Sequence, residues 1–573
     1  MSPTATHISP DELFALLLAE PLAEPLTEPV VELAVLDVRE TRWFVQRHLN
    51  LARNAPFSGL ELQVGALVPR RSTPVVLIDE LGAPDGVARQ ATAVLARLGY
   101  ADVRTLAGGL QRWLAEGLPA IDGYGTLVKA FGDRVRLHYG TPGLPVEALR
   151  ERLREGRPTT LVDARPRAEF EFLSLPGARN HPGTELALRR FEPDGRNVGA
   201  DDHLWAINCF SRTRGIVGAT TLRLLGRASD AVFVEDGVMD WGLHGAPTVQ
   251  NAAPQDELPP ESPALLRGIA DDLLRSFALP LADAAQLARW RNDDARTLYM
   301  FDVRPEADPA LAGTGLRHVP GGQLLMHFEN LVGTRGARIV LVDDPAHRLR
   351  AAITAFWLTQ LGQAEVHVYD DGEFLPAQAP AAPSAVVDDA PPPVAPDALA
   401  ELQASGAAAV IDVGPSLDYE RGHLEGALYL LPASLDALAP LAAQATAGRT
   451  FVFTSPDGTL AARVARDAQR RWQGAQNSGA VFTWLQGGTQ GWKASGRPLA
   501  TAFAPDQLLT PFDDDWGSVM RVFGPRRDAA WADYLAWERA LSERVLQDPS
   551  VRFRFFALSA RRQAQAQGRA ARS

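Results

Sequence analysis

The chain has a single cysteine, Cys209. That excludes an intramolecular disulfide, a CxxC redox pair and a cysteine-based zinc site. It has no stretch of ~18 consecutive apolar residues, the length a membrane-spanning helix needs. No Lys or Arg precedes Arg39, so the basic n-region of a secretory signal is missing. The expected location is the cytoplasm, where a lone cysteine stays reduced. Positive charge is not in excess either. Lys+Arg 57 against Asp+Glu 69 leaves a net charge of −12, which argues against the basic footprint of a nucleic-acid binder.

What is present points to several cores. At ~150 residues per domain, 573 residues suggest about four domains, and single cores stop growing near ~250–300 residues. A content of 46% hydrophobic and 22% charged residues is enough to fill them. Ser9-Pro10-Asp11-Glu12 reads as a capping box with Pro at the first helical position, so a helix starts there.

One pattern recurs four times. An apolar strand ends in an acid at LAVLDVRE (33–40), TLVDARPRAEF (160–170), LYMFDVRPEAD (298–308) and AVIDVGPSLDY (409–419), anchored on Asp37, Asp163, Asp302 and Asp412. A second strand follows at VVLID (75–79), LWAINC (204–209), IVLVD (339–343) and FVFTS (451–455), and then a segment with helical spacing. A third strand and a turn close each unit. In three copies that turn keeps Gly and Trp four residues apart, at Gly109/Trp113, Gly237/Trp241 and Gly488/Trp492. Each Trp is expected to pack in the core. Strands alternating with helices imply an α/β fold with mainly parallel sheets. PQDELPPESP (254–263) and PAQAPAAPSAVVDDAPPPVAP (376–396) read as Pro-rich linkers, and 123–142 as a shorter connector. WADYLAWERALSERVLQ (531–547) has helical periodicity and is expected to pack back on the array.

The ends of the second strands carry Asp79, Cys209, Asp343 and Ser455. Ligands of parallel α/β sheets sit at the carboxyl ends of strands, so Cys209 is the strong nucleophile among four equivalent positions. Phe210-Ser211-Arg212-Thr213-Arg214-Gly215 follows and leads into a helix. The unpaired N–H groups of a helix start favour an anionic sulfur. Arg212 and Arg214 add positive charge, so the thiolate fraction is expected to exceed that of a free cysteine. The same groups, with the Ser211 and Thr213 hydroxyls, would hold an oxyanion substrate.

With these motifs the sequence resembles the rhodanese family, and the chain resembles bacterial proteins with four such domains in tandem. The resemblance rests on the D-x-R segment, the strand–Cys–loop–helix INCFSRTRG and the Gly-x3-Trp closure. It implies four rhodanese-like domains at 7–122, 143–250, 264–375 and 394–500, with a helical extension over 505–573. It also implies sulfur transfer. Cys209 would take a sulfane sulfur from a small anionic donor, thiosulfate or 3-mercaptopyruvate, as a persulfide and pass it to a thiol or cyanide, with no cofactor or metal. Phe210 through Gly215 would bind substrate, and Asp163 and Arg165 would be structural. Family members with Asp at the cysteine position are inactive, which would silence domains 1 and 3. Ser455 lacks a neighbouring base, so domain 4 is read as inactive too. Many family members have Gly inside the loop and Ser or Thr after its last basic residue. Here Phe210 and Ser211 fill the interior and Gly215 follows Arg214.

Glu169 is a candidate acceptor for the loop, and His181 reads as a solvated loop residue. Two rivals were weighed. A cysteine phosphatase needs Cys-x5-Arg, and this loop is Cys-x4-Arg. A non-enzymatic persulfide carrier or scaffold would stop after one sulfur per chain. Because the Pro-rich linker at 376–396 separates the later repeats, a fragment ending near Pro254 is expected to retain the chemistry.

Overall fold

The computed structural model describes residues 6–20, 30–191, 203–251, 257–372, 389–444, 449–472 and 480–558. It contains four sheets, and within each repeat the strands are parallel. In every repeat the first strand lies beside the second, and the second beside the third. These are Leu33–Asp37, Val75–Ile78 and Val103–Leu106 in repeat 1, and Thr159–Asp163, Leu204–Asn208 and Val232–Val234 in repeat 2. Repeat 3 uses Leu298–Asp302, Arg338–Val342 and Glu365–Tyr369, and repeat 4 uses Ala408–Asp412, Thr450–Thr454 and Val481–Trp484. The central strands are apolar and buried on both faces, as a parallel sheet covered by helices requires.

The register repeats as well. Asp37 pairs with Ile78, Asp163 with Asn208, Asp302 with Val342 and Asp412 with Thr454. Each anchoring acid therefore sits beside the residue that immediately precedes Asp79, Cys209, Asp343 or Ser455.

The units are not beads on a string. Thr334–Arg335 of repeat 3 pairs antiparallel with Leu33–Asp37 and extends the sheet of repeat 1. The connector 123–142 holds a buried helix, Thr126–Tyr139. Its Phe131 packs against Trp357 of repeat 3 and against Phe553 and Phe555 of the tail. Gly132 has no room for a side chain, because a Cβ there would lie 2.7 Å from the Thr213 methyl. The connector helix thus rests directly on the start of the Cys209 helix. Repeat 4 docks on repeat 1 through Arg466–Glu61 at 2.8 Å and the Ala433 N–H to Ser58 Oγ at 3.0 Å.

The Pro-rich segments differ from the spacer reading. Leu258 is only 2% exposed, and the Arg190 and Glu261 N–H groups bond to the Pro259 and Leu188 carbonyls at 2.8 and 2.9 Å. Residues 257–262 are a strap on repeat 2, because their extended backbone finds partners there. In the second segment, Pro391 and Pro392 carbonyls accept from Trp484 Nε1 and Thr483 Oγ1. Its residues 376–388 lie outside those described. The N-terminal capping box forms as expected, with Ser9 and Glu12 bonded reciprocally.

Candidate active site

Cys209 is the first residue after the strand Leu204–Asn208 and precedes the helix Thr213–Leu224. It is 3% exposed, and the Gly215 N–H points at its sulfur. The other repeats fill the same place with their own oxygen. Asp79 accepts the Gly82 and Ala88 N–H groups at 2.6 and 3.0 Å. Asp343 accepts those of Arg350 and Ala351 at 2.9 and 3.2 Å. Ser455 Oγ accepts that of Ala461 at 3.2 Å. Substituting Asp for Cys therefore does more than remove sulfur: the carboxylate occupies the donors that would hold an anion.

The Gly-x3-Trp closure supports this loop. Gly237 has φ +54, and a Cβ there would stand 2.2 Å from the Cys209 carbonyl oxygen. With no side chain in the way, the Val238 and Met239 N–H groups bond to the Cys209 and Phe210 carbonyls, both at 3.0 Å. Repeats 1 and 4 do the same: Leu110 and Gln111 reach Asp79 and Glu80, and Thr489 and Gln490 reach Ser455 and Pro456. The Trp of each closure is buried and donates Nε1 to the Pro119, Pro247 or Pro498 carbonyl.

Below the loop, Asp163 and Arg165 form a fully buried pair at 2.7 Å. Arg165 Nη2 also donates to the Leu173 carbonyl, and Asn208 Nδ2 to Asp163. Repeats 1 and 3 carry the same pair in Asp37–Arg39 and Asp302–Arg304. In repeat 4 Gly414 replaces the arginine, and burial without a cation pushes the Asp412 carboxyl up to about 7.

The loop arginines are engaged. Arg212 bonds to Asp133 at 2.9 Å and to Asp236 at 3.0 Å. Arg214 forms a fork with Glu169, both contacts at 2.7 Å, so Glu169 meets the loop through this arginine. Phe210 is buried with its ring edge against Trp531, 5.6 Å between centroids. Thr213 is buried against Gly132. Ser211 lies beside Tyr534 and Glu538 of the C-terminal helix Arg527–Leu546.

Two expectations fail here. Burial pushes the Cys209 thiol above its ordinary value, and Glu538 and Asp163 add to that, against the pull of Arg214 and the Gly215 N–H. The resting group is a thiol, because desolvation of the anion outweighs one arginine whose charge is shared with Glu169. His181 is not solvated. It is buried, accepts the Leu258 N–H on Nε2 at 3.1 Å, and is held down to about 4 by burial and then by Arg189 and Arg179.

Sequence reading also missed four neighbours. Lys129, one of only two lysines in the chain, faces the rings of Tyr534 and Trp537 at 5.4 and 5.1 Å. Glu538 is 5% exposed, and its Oε2 has no hydrogen-bond partner among the described residues. Tyr534 completes the cover. His327 of repeat 3 is exposed at the rim, close enough to Arg214, Glu169 and Lys129 to feel their charge. One signal was available: Glu538 falls on the same helical stripe as Trp531, Leu535, Leu541 and Val545, where an acid is out of place.

Elsewhere on repeat 2, Glu147, Asp240 and His244 bring three ligand-type atoms within 4.8 Å of one another at the surface. His244 Nδ1 is already engaged by the Asp240 carbonyl at 2.8 Å.

A repeated parallel sheet with a loop cradle at the carboxyl end of its second strand defines a class, and comparison with known proteins identifies it. The rhodanese-like domain family matches residues 18–116 and 395–495. The crystal structure of thiosulfate sulfurtransferase from Pseudomonas aeruginosa matches with 30% identity and a TM-score of 0.82, over 97% of this chain and 100% of that one. A rhodanese-related protein from Thermoplasma volcanium matches with 25% identity and a TM-score of 0.15, over 19% of this chain and 97% of its own. The Alr3790 protein from Anabaena matches with 24% identity and a TM-score of 0.17, over 20% of this chain and 83% of its own. No curated protein matches at a significant level. The chain belongs to the rhodanese-like sulfurtransferase family. Among the described residues no helix is long and apolar enough to cross a membrane.

Proposed function

We propose that the protein moves a sulfur atom, the sulfane sulfur of thiosulfate or the thiol sulfur of 3-mercaptopyruvate, through a Cys209 persulfide to a thiol or cyanide. The observation that carries this reading is the contrast among the four loops that follow the second strands. Three close on their own Asp or Ser oxygen, and the Cys209 loop turns a helix-start N–H toward sulfur.

Transfer from thiosulfate takes two displacements at sulfur. Cys209 loses its proton, and Glu538, facing it from the C-terminal helix, is the acceptor within the site. The thiolate attacks the outer sulfur of thiosulfate. The S–S bond to the sulfonate breaks and its electron pair leaves with sulfite. The persulfide anion rests on the Gly215 N–H with Arg214 near it. Cyanide then takes the outer sulfur as thiocyanate and returns the Cys209 thiolate. No redox partner is needed. Arg212 braces the loop against Asp133 and Asp236 instead of gripping the donor, and Asp163 and Arg165 hold the strand beneath it.

A phosphatase reading has less support. The loop is one residue short, and Arg214 already directs its fork at Glu169. The deciding experiment is mass spectrometry of the full chain after thiosulfate, with thiocyanate production followed over many turnovers. One added sulfur on Cys209 and repeated turnover are expected. A single turnover would favour a carrier, and equal activity in Cys209→Ser would sink the mechanism.

A further inference from the structure

The cleft above the Cys209 loop is filled by the protein itself. Trp531 lies against Phe210, and its ring sits 2.6 Å from where a Cβ on Gly242 would stand. Val238, Met239, Trp531 and Leu535 share one apolar cluster. The backbone hydrogen bonds described above put Glu80, Leu110 and Gln111 of repeat 1 in the places of Phe210, Val238 and Met239, and Leu114 falls in step with Gly242.

In repeat 1 no helix of the described residues covers this cleft. It is a cavity of about 730 Å³, walled on its other side by Leu431, Ala433 and Ser434 of repeat 4 and by Asp513. Repeat 4 has a smaller version of about 270 Å³, lined in part by Pro456, Thr489 and Gln490. The larger cavity lies in the size range of small-molecule sites.

Its polar groups are arranged unevenly. Glu40 is 7% exposed; its Oε1 accepts the Ser58 N–H and hydroxyl at 3.2 and 2.7 Å, and its Oε2 is buried with no partner among the described residues. Asp513 also lines the cavity, where it takes Trp43 Nε1 at 3.3 Å and pairs with the exposed Arg42 at 3.6 Å. Arg39 is engaged by Asp37 and Glu80, and Arg47 lies at the exposed edge. Leu110, Leu114 and the half-exposed Trp43 form the apolar wall.

We infer that this cavity between repeats 1 and 4 is a second ligand site, for a flat apolar molecule carrying a protonated amine. The apolar body lies against Leu110, Leu114 and Trp43, and the amine meets Glu40 and Asp513. A buried carboxyl oxygen without a partner is costly, and a cationic donor relieves that cost. Burial raises the Glu40 carboxyl to about 7, with Asp514 and Asp513 adding to it. Ser58 of repeat 1 and Arg463 of the repeat 4 helix also face it, while Arg39 is held by Asp37 and Glu80 and Arg42 is paired with Asp513. Amine binding therefore strengthens as pH rises from 6 to 8, because Glu40 must ionise to receive the amine.

The probe is tryptamine, titrated calorimetrically into the full chain, with indole-3-acetate as the charge-inverted control. Saturable one-to-one binding of tryptamine is expected, tighter at pH 8 than at pH 6, with at least about tenfold weaker binding of indole-3-acetate. Glu40→Gln keeps the Ser58 contact and should weaken tryptamine at least about tenfold and flatten the pH dependence. Leu114→Trp fills the cleft away from Glu40 and should abolish binding. Sulfur transfer should be unchanged in both variants, so this site and the Cys209 reading fail separately. No saturable binding, or binding that neither variant alters, overturns the inference.

Discussion

Replacing Gly237 by Ala should disarm Cys209 without touching a reactive group. The added Cβ would stand 2.2 Å from the Cys209 carbonyl oxygen and 2.9 Å from that of Ser211. Something must move, and the loop is held there by two hydrogen bonds at 3.0 Å, from Val238 and Met239. Losing both costs about 2 kcal/mol at ~1 kcal/mol each. The left-handed backbone at φ +54 adds about 1 kcal/mol for any residue but glycine. The total is about 3 kcal/mol, concentrated on the loop that aims the sulfur. Gly245 supplies the control. It lies in the same repeat at φ +68 with nothing within 4 Å, so Gly245→Ala carries the backbone term alone, about 1 kcal/mol. The assay is paired: melting temperature and thiocyanate kcat/KM for both variants. Gly245→Ala should melt slightly lower and keep its activity. Gly237→Ala should lose most of its activity and melt lower still. Equal activity in the two would refute the claim that this turn positions Cys209.

Further outcomes follow from charge and connectivity. Glu538→Gln removes a negative charge that raises the Cys209 thiol. Its iodoacetamide alkylation profile should move to lower pH, and an unmoved profile would show that Glu538 does not face the sulfur. A fragment of residues 1–254 lacks Tyr534, Glu538 and His327 and uncovers Phe210. Against the expectation drawn from linker composition, its kcat/KM for thiosulfate should fall at least tenfold, and full activity would reduce the C-terminal helix to a cover. Asp412, lifted to about 7 in the fold from an ordinary 3.8, destabilises repeat 4 increasingly as pH rises from 3.8 to 7. Asp412→Asn should therefore raise the melting temperature at pH 8 and leave it unchanged near pH 4. His181, held down to about 4 against 6.5, works in the opposite sense. Its contribution is intact above 6.5 and is lost as pH falls toward 4, so thermal stability should drop across that window in the wild type and less in His181→Gln.

The sequence by itself determined the repeat. The short apolar strands, the acid that ends each first strand, the residue at each second strand's end and the Gly-x3-Trp turn are local patterns. Each is fixed by neighbours a few residues away or by one crossover within a unit. Hence Asp37, Asp163, Asp302 and Asp412 could be aligned before any contact was known, and Cys209 could be set apart from Asp79, Asp343 and Ser455.

Only the tertiary structure decided how that cysteine is treated. Glu538 lies 329 positions after it, and Lys129 and His327 belong to other units. No local spacing relates them to the loop. The same is true of Thr334–Arg335, which joins the sheet of repeat 1, and of the strap over 257–262. Charge illustrates the difference best. Arg212 and Arg214 in sequence read as a field that would ionise the thiol. Folding supplies Asp133, Asp236 and Glu169 as their partners and removes water from the sulfur, so its proton affinity rises. Desolvation depends on what covers a group, and coverage comes from whichever distant segment packs there.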